Sequence, residues 1–355
     1  MTVTAPRTVE TDGPDRQTAP RHRSGAGLAV GLVVCVGVLA VVAFVSVTIG
    51  SRGVGLGTIW TAFTEYDPSS AEQTVIREMR VPRTVLGLLV GAALGLAGAI
   101  LQGATRNPLA DPGIMGINAG AACGLVLGVL VLGSMPLSLS IWFAFLGAGV
   151  ATVVVYGVAS FGREGATPVK LALAGAAVSA GLYAVTTGVV MTRVDALNEL
   201  RFWQVGSLAG RYLPVLEQTW VFLLVGIVAA VLMGRALNGL ALGDDLAVAL
   251  GQRVRLTRTT LFVTVAVLGG AATAAAGPIV FVGLVVPHLA RAICGPDYRW
   301  ILPYTLLLSP IVLLVADVLG RVLVSPSELQ VGVVLGVVGA PAFIALVRYR
   351  NLAEL

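Results

Sequence analysis

Charged residues are few in this chain, and all but a handful sit at the ends of long apolar runs. Asp317 is the carboxylate deep inside one, ILPYTLLLSPIVLLVADVLGRVLV. An ionisable group there is costly and faces a bundle interior. Arg321 lies four residues on, so the two share a helix face and can pair. A proton relay wants several such groups, and one carboxylate does not supply it. His22 and His288 are the two histidines, and Cys35, Cys123 and Cys294 lie far apart with no CxxC. Neither a His-based metal site nor a catalytic triad is expected from that set, and the cysteines read as apolar filler. No GxxxxGK[ST] occurs, so the chain does not hydrolyse ATP through a P-loop. What remains is electrostatic work at the ends of apolar runs.

Two constellations can do such work. Arg80 and Arg83 bracket Pro82 just before the apolar run 84–103, and Arg321 closes another run. Positive charges at two points around a pore mouth can accept carboxylates from a docking protein; the alternative is arginines snorkelling to lipid headgroups. The second constellation is the polar segment 235–258, RALNGLALGDDLAVALGQRVRLTR. It reads as two short helical pieces. Asp244 and Asp245 fall in the first turn of the second, where the helix dipole favours anions, and Gly251 is placed to end it. Arg253, Arg255 and Arg258 follow, and a solvated loop whose arginines only set topology is the competing reading. Elsewhere, Pro287 bends or ends a helix, leaving a carbonyl that His288 can bond. Ser179, Thr186 and Thr187 sit among Gly and Ala and suit a small-residue translocation path, although Ser and Thr also bond their own helix backbone.

The elements that position these residues are membrane helices. The chain has 355 residues, 57% hydrophobic and 12% charged, with mean hydropathy +0.92. A soluble domain carries about 25% charged residues. The fold class is therefore all-α and polytopic. Apolar runs fall at 28–50, 84–103, 113–133, 138–160, 168–191, 213–236, 259–276, 278–294, 301–322 and 329–347, which predicts ten transmembrane helices. The stretch 259–294 is nearly unbroken and is divided at Gly277–Pro278, where Pro ends the ladder and Gly permits a turn. Gly91, Gly95 and Gly98 recur at three- and four-residue spacing, which lets another backbone approach. Residues 1–27 read as a disordered cytoplasmic tail, and 28–350 as one transmembrane domain. Outer residues 51–79 are expected along the membrane surface, and Phe202 and Trp203 at headgroup level. Arg and Lys concentrate on the side of the tail and of 235–258, which puts both termini in the cytoplasm. Arg52, Arg77, Arg80 and Arg83 run against that rule. Net charge is +5 with no basic patch interleaved with aromatics, so no nucleic-acid partner is expected.

Several stretches resemble one family: the FecCD permeases of ABC importers for ferric siderophores, haem and cobalamin. The resemblance rests on Arg80-x-Pro82-Arg83, the helix GAALGLAGAILQ, the turn Asn107-Pro108-Leu109-Ala110-Asp111-Pro112, and RFWQVGSLAGR at 201–211. It also rests on GPIVFVGLVVPHLAR at 277–291 and ELQVGVVLGVVGAPAF at 328–343, where Gln330 replaces the family's Pro and Leu335–Gly336 its Thr–Ala. It implies a type II ABC importer bundle of ten helices in a bacterial cytoplasmic membrane. The implied cargo is a metal chelate, here a ferric siderophore, with haem or cobalamin as alternatives. It implies a second permease, identical or homologous, two ATPase subunits that bind ATP and Mg, and an extracytoplasmic substrate-binding protein. Leu240, Ala241, Leu242, Gly243, Asp244, Asp245, Leu250 and Gly251 match the family's coupling helices, which dock on the ATPase. Arg80, Arg83 and Arg321 match the arginines that pair with acidic residues of the binding protein. No cofactor is implied for this chain. An ion-driven secondary transporter would instead need buried carboxylates and inverted halves of interrupted helices, and an intramembrane enzyme would need paired catalytic residues.

Overall fold

The computed structural model describes residues 25–50, 53–162, 167–324 and 327–349, and among them every regular element is helical. The chain runs through α1 (Gly25–Thr48), α2 (Leu56–Thr64), α3 (Ala71–Thr74), α4 (Val81–Thr105), α5 (Ile117–Leu132) and α6 (Leu137–Ala159). It continues through α7 (Pro168–Thr192), α8 (Val194–Trp203), α9 (Leu213–Leu232), α10 (Gly234–Ala241) and α11 (Asp244–Ala249). It ends with α12 (Val254–Ala276), α13 (Val282–Cys294), α14 (Tyr298–Leu323) and α15 (Val331–Tyr349). Seven spans are long and apolar enough to cross a membrane, and α5, α13 and the 331–345 part of α15 are shorter apolar helices. Each of the ten predicted runs coincides with one of these. The predicted tail lies outside the described residues except for its last three, which already belong to α1.

α4 is the axis of the bundle. In the span Ala71–Thr105, 83% of the most apolar window is buried, against 6% in α1. Its glycines explain how neighbours come so close. A Cβ on Gly91 would sit 2.7 Å from the Pro310 backbone of α14, and one on Gly95 would meet the Ser309 side chain. A Cβ on Gly98 would run into the Gly283 carbonyl of α13. The small-residue spacing in the sequence therefore corresponds to two separate helix contacts.

The structure departs from the sequence at five places. Residues 71–80 do not lie apart on the membrane surface. α3, a π-helical stretch at Val75–Arg80 and α4 form one 35-residue span, Ala71–Thr105. Only α2 remains as a surface piece, held by a small apolar cluster of Ile59, Ala62 and Ile76. The run 213–236 breaks at Met233 into α9 and α10. The run 113–133 begins with a 3-10 turn at Pro112–Met115 and the run 278–294 with non-helical backbone, so α5 and α13 are shorter than expected. Trp203 is buried, and its carbonyl packs at Gly277, so Phe202 is the exposed aromatic of that pair. The break at Gly277 is where the sequence puts it, with φ +75°.

Candidate functional site: two charged clusters joined by a central helix

Two charged clusters lie at opposite ends of α4 and are called outer and inner after the sides expected from the sequence. The outer cluster is built where α1, α4 and α14 meet. Asp317, 1% exposed, accepts from both Arg83 (Nη2 2.8 Å, Nε 3.1 Å) and Arg321 (Nη2 2.6 Å, Nε 3.1 Å). Arg83 also donates from Nη1 to Glu328 Oε2 at 2.8 Å. Arg321 donates to the Ser46 and Ile49 carbonyls at 2.7 and 2.9 Å and to Ser46 Oγ at 2.8 Å. Arg80 donates to the Val47 and Thr48 carbonyls at 3.1 and 2.7 Å. The Ser46, Val47 and Thr48 carbonyls are the last of α1 and lack partners within the helix, so two guanidinium groups cap its negative end. That gives Arg80, which runs against the positive-inside reading of the sequence, a structural role.

The three arginines thus come together, with a carboxylate the sequence did not suggest, Glu328. They are buried or nearly so, Arg83 being 13% exposed at its side chain and Glu328 27%. Arg80, Arg83, Arg321 and Glu328 line a depression of about 380 Å³ that Met79 and Tyr212 also border. Among the described residues, three arginines and two carboxylates meet here, so positive charge outweighs negative at this cluster.

The inner cluster lies at the other end of α4. α10 and α11 are the two short helices expected in 235–258. Gly243, at φ +111°, makes the break between them, in a backbone conformation that glycine permits, and Gly251 follows α11 at φ +81°. Asp244 Oδ1 accepts from Arg106 Nη2 at 2.5 Å and from Arg258 Nη2 at 2.9 Å. Asn238 of α10 donates to Asp297 at 2.6 Å and accepts from the Tyr298 backbone at 2.8 Å, which ties α10 to the start of α14. Hydrogen bonds from Arg299 hold the Asp297 carboxyl well below its ordinary value, at about 2. Of the residues the sequence assigned to coupling, Leu240 is buried and anchors α10, whereas Ala241, Leu242, Asp245, Leu250 and Gly251 are exposed. Leu246 and Val248, which no motif singled out, join Leu242 and Leu250 as exposed apolar side chains on this segment.

Between the clusters, Pro287 inside α13 lacks an N–H and frees the Gly283 carbonyl. Gln102 of α4 takes it, donating from Nε2 at 3.2 Å, and also reaches the Leu284 carbonyl at 3.3 Å. Arg291 Nη2 donates to Gln102 Oε1 at 3.2 Å. His288 Nδ1 donates to the Leu284 carbonyl at 2.9 Å, so the carbonyl freed by Pro287, expected to be taken by His288, is taken by Gln102 instead. The helix α7 is mostly uncovered. Thr187 is on its exposed face, Ser179 is half-buried, and Thr186 is buried with its hydroxyl on the Leu182 carbonyl at 2.8 Å. Among the described residues, no group of three or more His, Cys, Asp or Glu side chains is placed to hold a metal ion.

Residues 38–349 match the profile of the FecCD transport family. The ferric enterobactin transport system permease protein FepD of Escherichia coli (strain K12) is 45% identical over 313 residues, covering 88% of this chain and 93% of that protein. The iron(3+)-hydroxamate import system permease protein FhuB of Bacillus subtilis (strain 168) is 37% identical, covering 91% of this chain and 84% of that one. A solved structure of an inward-facing conformation of a metal-chelate type ABC transporter superposes with a TM-score of 0.80 at 28% identity, covering 91% of this chain and all of that one.

Proposed function

This chain belongs to the FecCD transport family, and from that premise we propose that it is the permease of an ATP-driven importer for a ferric siderophore. The observation that carries the reading is the segment 234–251. It presents four apolar side chains, Leu242, Leu246, Val248 and Leu250, each more than half exposed, at the inner end of the bundle. Apolar side chains grouped on a short surface helix mark a protein contact, and here the contact is an ATPase subunit that binds ATP and Mg. The cargo class follows from the relatives, which include permeases for ferric enterobactin and iron(3+)-hydroxamate.

A second permease subunit completes the path against the uncovered face of α7, with Ser179 and Thr187 available to it. Both termini face the cytoplasm, and the outer depression receives a substrate-binding protein whose carboxylates meet the arginine wall. The geometry disfavours an ion-driven carrier, because Asp317, the carboxylate deep in an apolar run, is engaged by two arginines. Uptake of a labelled ferric siderophore into membranes holding the whole transporter is expected to stop when the ATPase partner is made hydrolysis-dead. Uptake that continues on a proton gradient alone would defeat the reading.

A further inference from the structure

Within α11, Ala247 is the buried residue, so packing holds this helix only weakly against the bundle. What holds it is charge. A single carboxylate oxygen of Asp244 ties α11 to Arg106, the residue that caps α4, and to Arg258 near the start of α12. These two helices carry the most buried spans of the chain, 83% and 72%. The turn that launches Arg106 is itself fixed. Arg106 adopts φ +48°, the Asn107 N–H closes onto the Gln102 carbonyl at 3.2 Å, and the Asn107 side chain accepts from Leu109 N at 2.9 Å. A left-handed residue followed by such a turn gives a stiff mount rather than a loose loop.

We infer that Arg106, Asp244 and Arg258 form a clasp that passes displacement of α11 to the central helix α4. They are positioning residues, and the inference rests on the proposed docking of an ATPase on α11. Arg106 and Asp244 are nearly half exposed, so the clasp adds little to folding stability. Its value lies in keeping α11 and the α4 end moving as one body. Without it, α11 can follow the ATPase while α4 stays behind, and hydrolysis is spent without transport.

The test uses proteoliposomes holding the complete transporter with its binding protein, and reads ATP hydrolysed per labelled ferric siderophore taken up. Asp244→Asn and Arg106→Gln should each raise that ratio about fivefold, and the double variant should raise it no further, as members of one interaction do. Asp244→Glu, which keeps the charge, should stay near the wild-type ratio. An unchanged ratio overturns the clasp. So does a proportional fall of uptake and hydrolysis, or effects that multiply in the double variant. Loss of the ATPase from the purified Arg106→Gln complex also overturns it, because Arg106 would then be a docking element. Wild-type vesicles without ATP-driven uptake overturn the proposed function and the clasp together; a working wild type with unaltered variants overturns the clasp alone.

Discussion

The two ends of α4 use the same chemistry for different purposes. At the outer end, guanidinium groups surround a carboxylate that is 1% exposed; at the inner end they meet one that is 43% exposed. Buried charges cannot fall back on water, so each outer group depends on the others. The inner groups can, so their pairing is weak in stability and serves geometry. One end is a structural rivet that also lines a depression, and the other is an exposed tie that joins α4, α11 and α12.

That contrast can be broken by measurement. Asp317→Asn leaves Arg83 and Arg321 buried without their shared carboxylate, and should cost about 3–5 kcal/mol by thermal unfolding in detergent. Asp244→Asn should cost less than about 1 kcal/mol in the same assay. Equal losses would mean that burial does not separate the two ends.

The helix joining them gives the next largest effect. Gly98→Ala forces a methyl group against the Gly283 carbonyl, with an expected cost of about 1–3 kcal/mol from overpacking. Gly181→Ala in α7 meets open space and should leave the unfolding temperature unchanged. A tolerated Gly98→Ala would show that α4 and α13 can separate, and that the clusters are not joined by one stiff element.

The smallest effect sharpens the role of the outer end. Glu328 is the more exposed of Arg83's two acidic partners, so it competes with any incoming carboxylate. Glu328→Gln should tighten binding of the proposed substrate-binding protein about threefold, with a steeper loss of affinity as salt rises. Unchanged affinity at low salt would leave the arginine wall with a capping role and no part in docking.

Much of this molecule was legible before any coordinates. Ten apolar runs, the Gly277 break and the two short helices of 235–258 follow from hydropathy and from glycine and proline chemistry, which act locally. The pairing of Asp317 with Arg321 is also local, since it joins residues four apart on one helix. The sequence could not show that residues 71–80 extend α4, because their mixed polarity reads as a surface segment. Nor could it reveal contacts across long separations, such as Arg83 with Asp317 and Glu328, Arg321 with the end of α1, or Arg106 with Asp244. Periodicity and propensity report on the few residues either side of a position. Which helix ends meet is decided by how the whole bundle packs, and in this protein that packing turned two sets of scattered charges into two clusters.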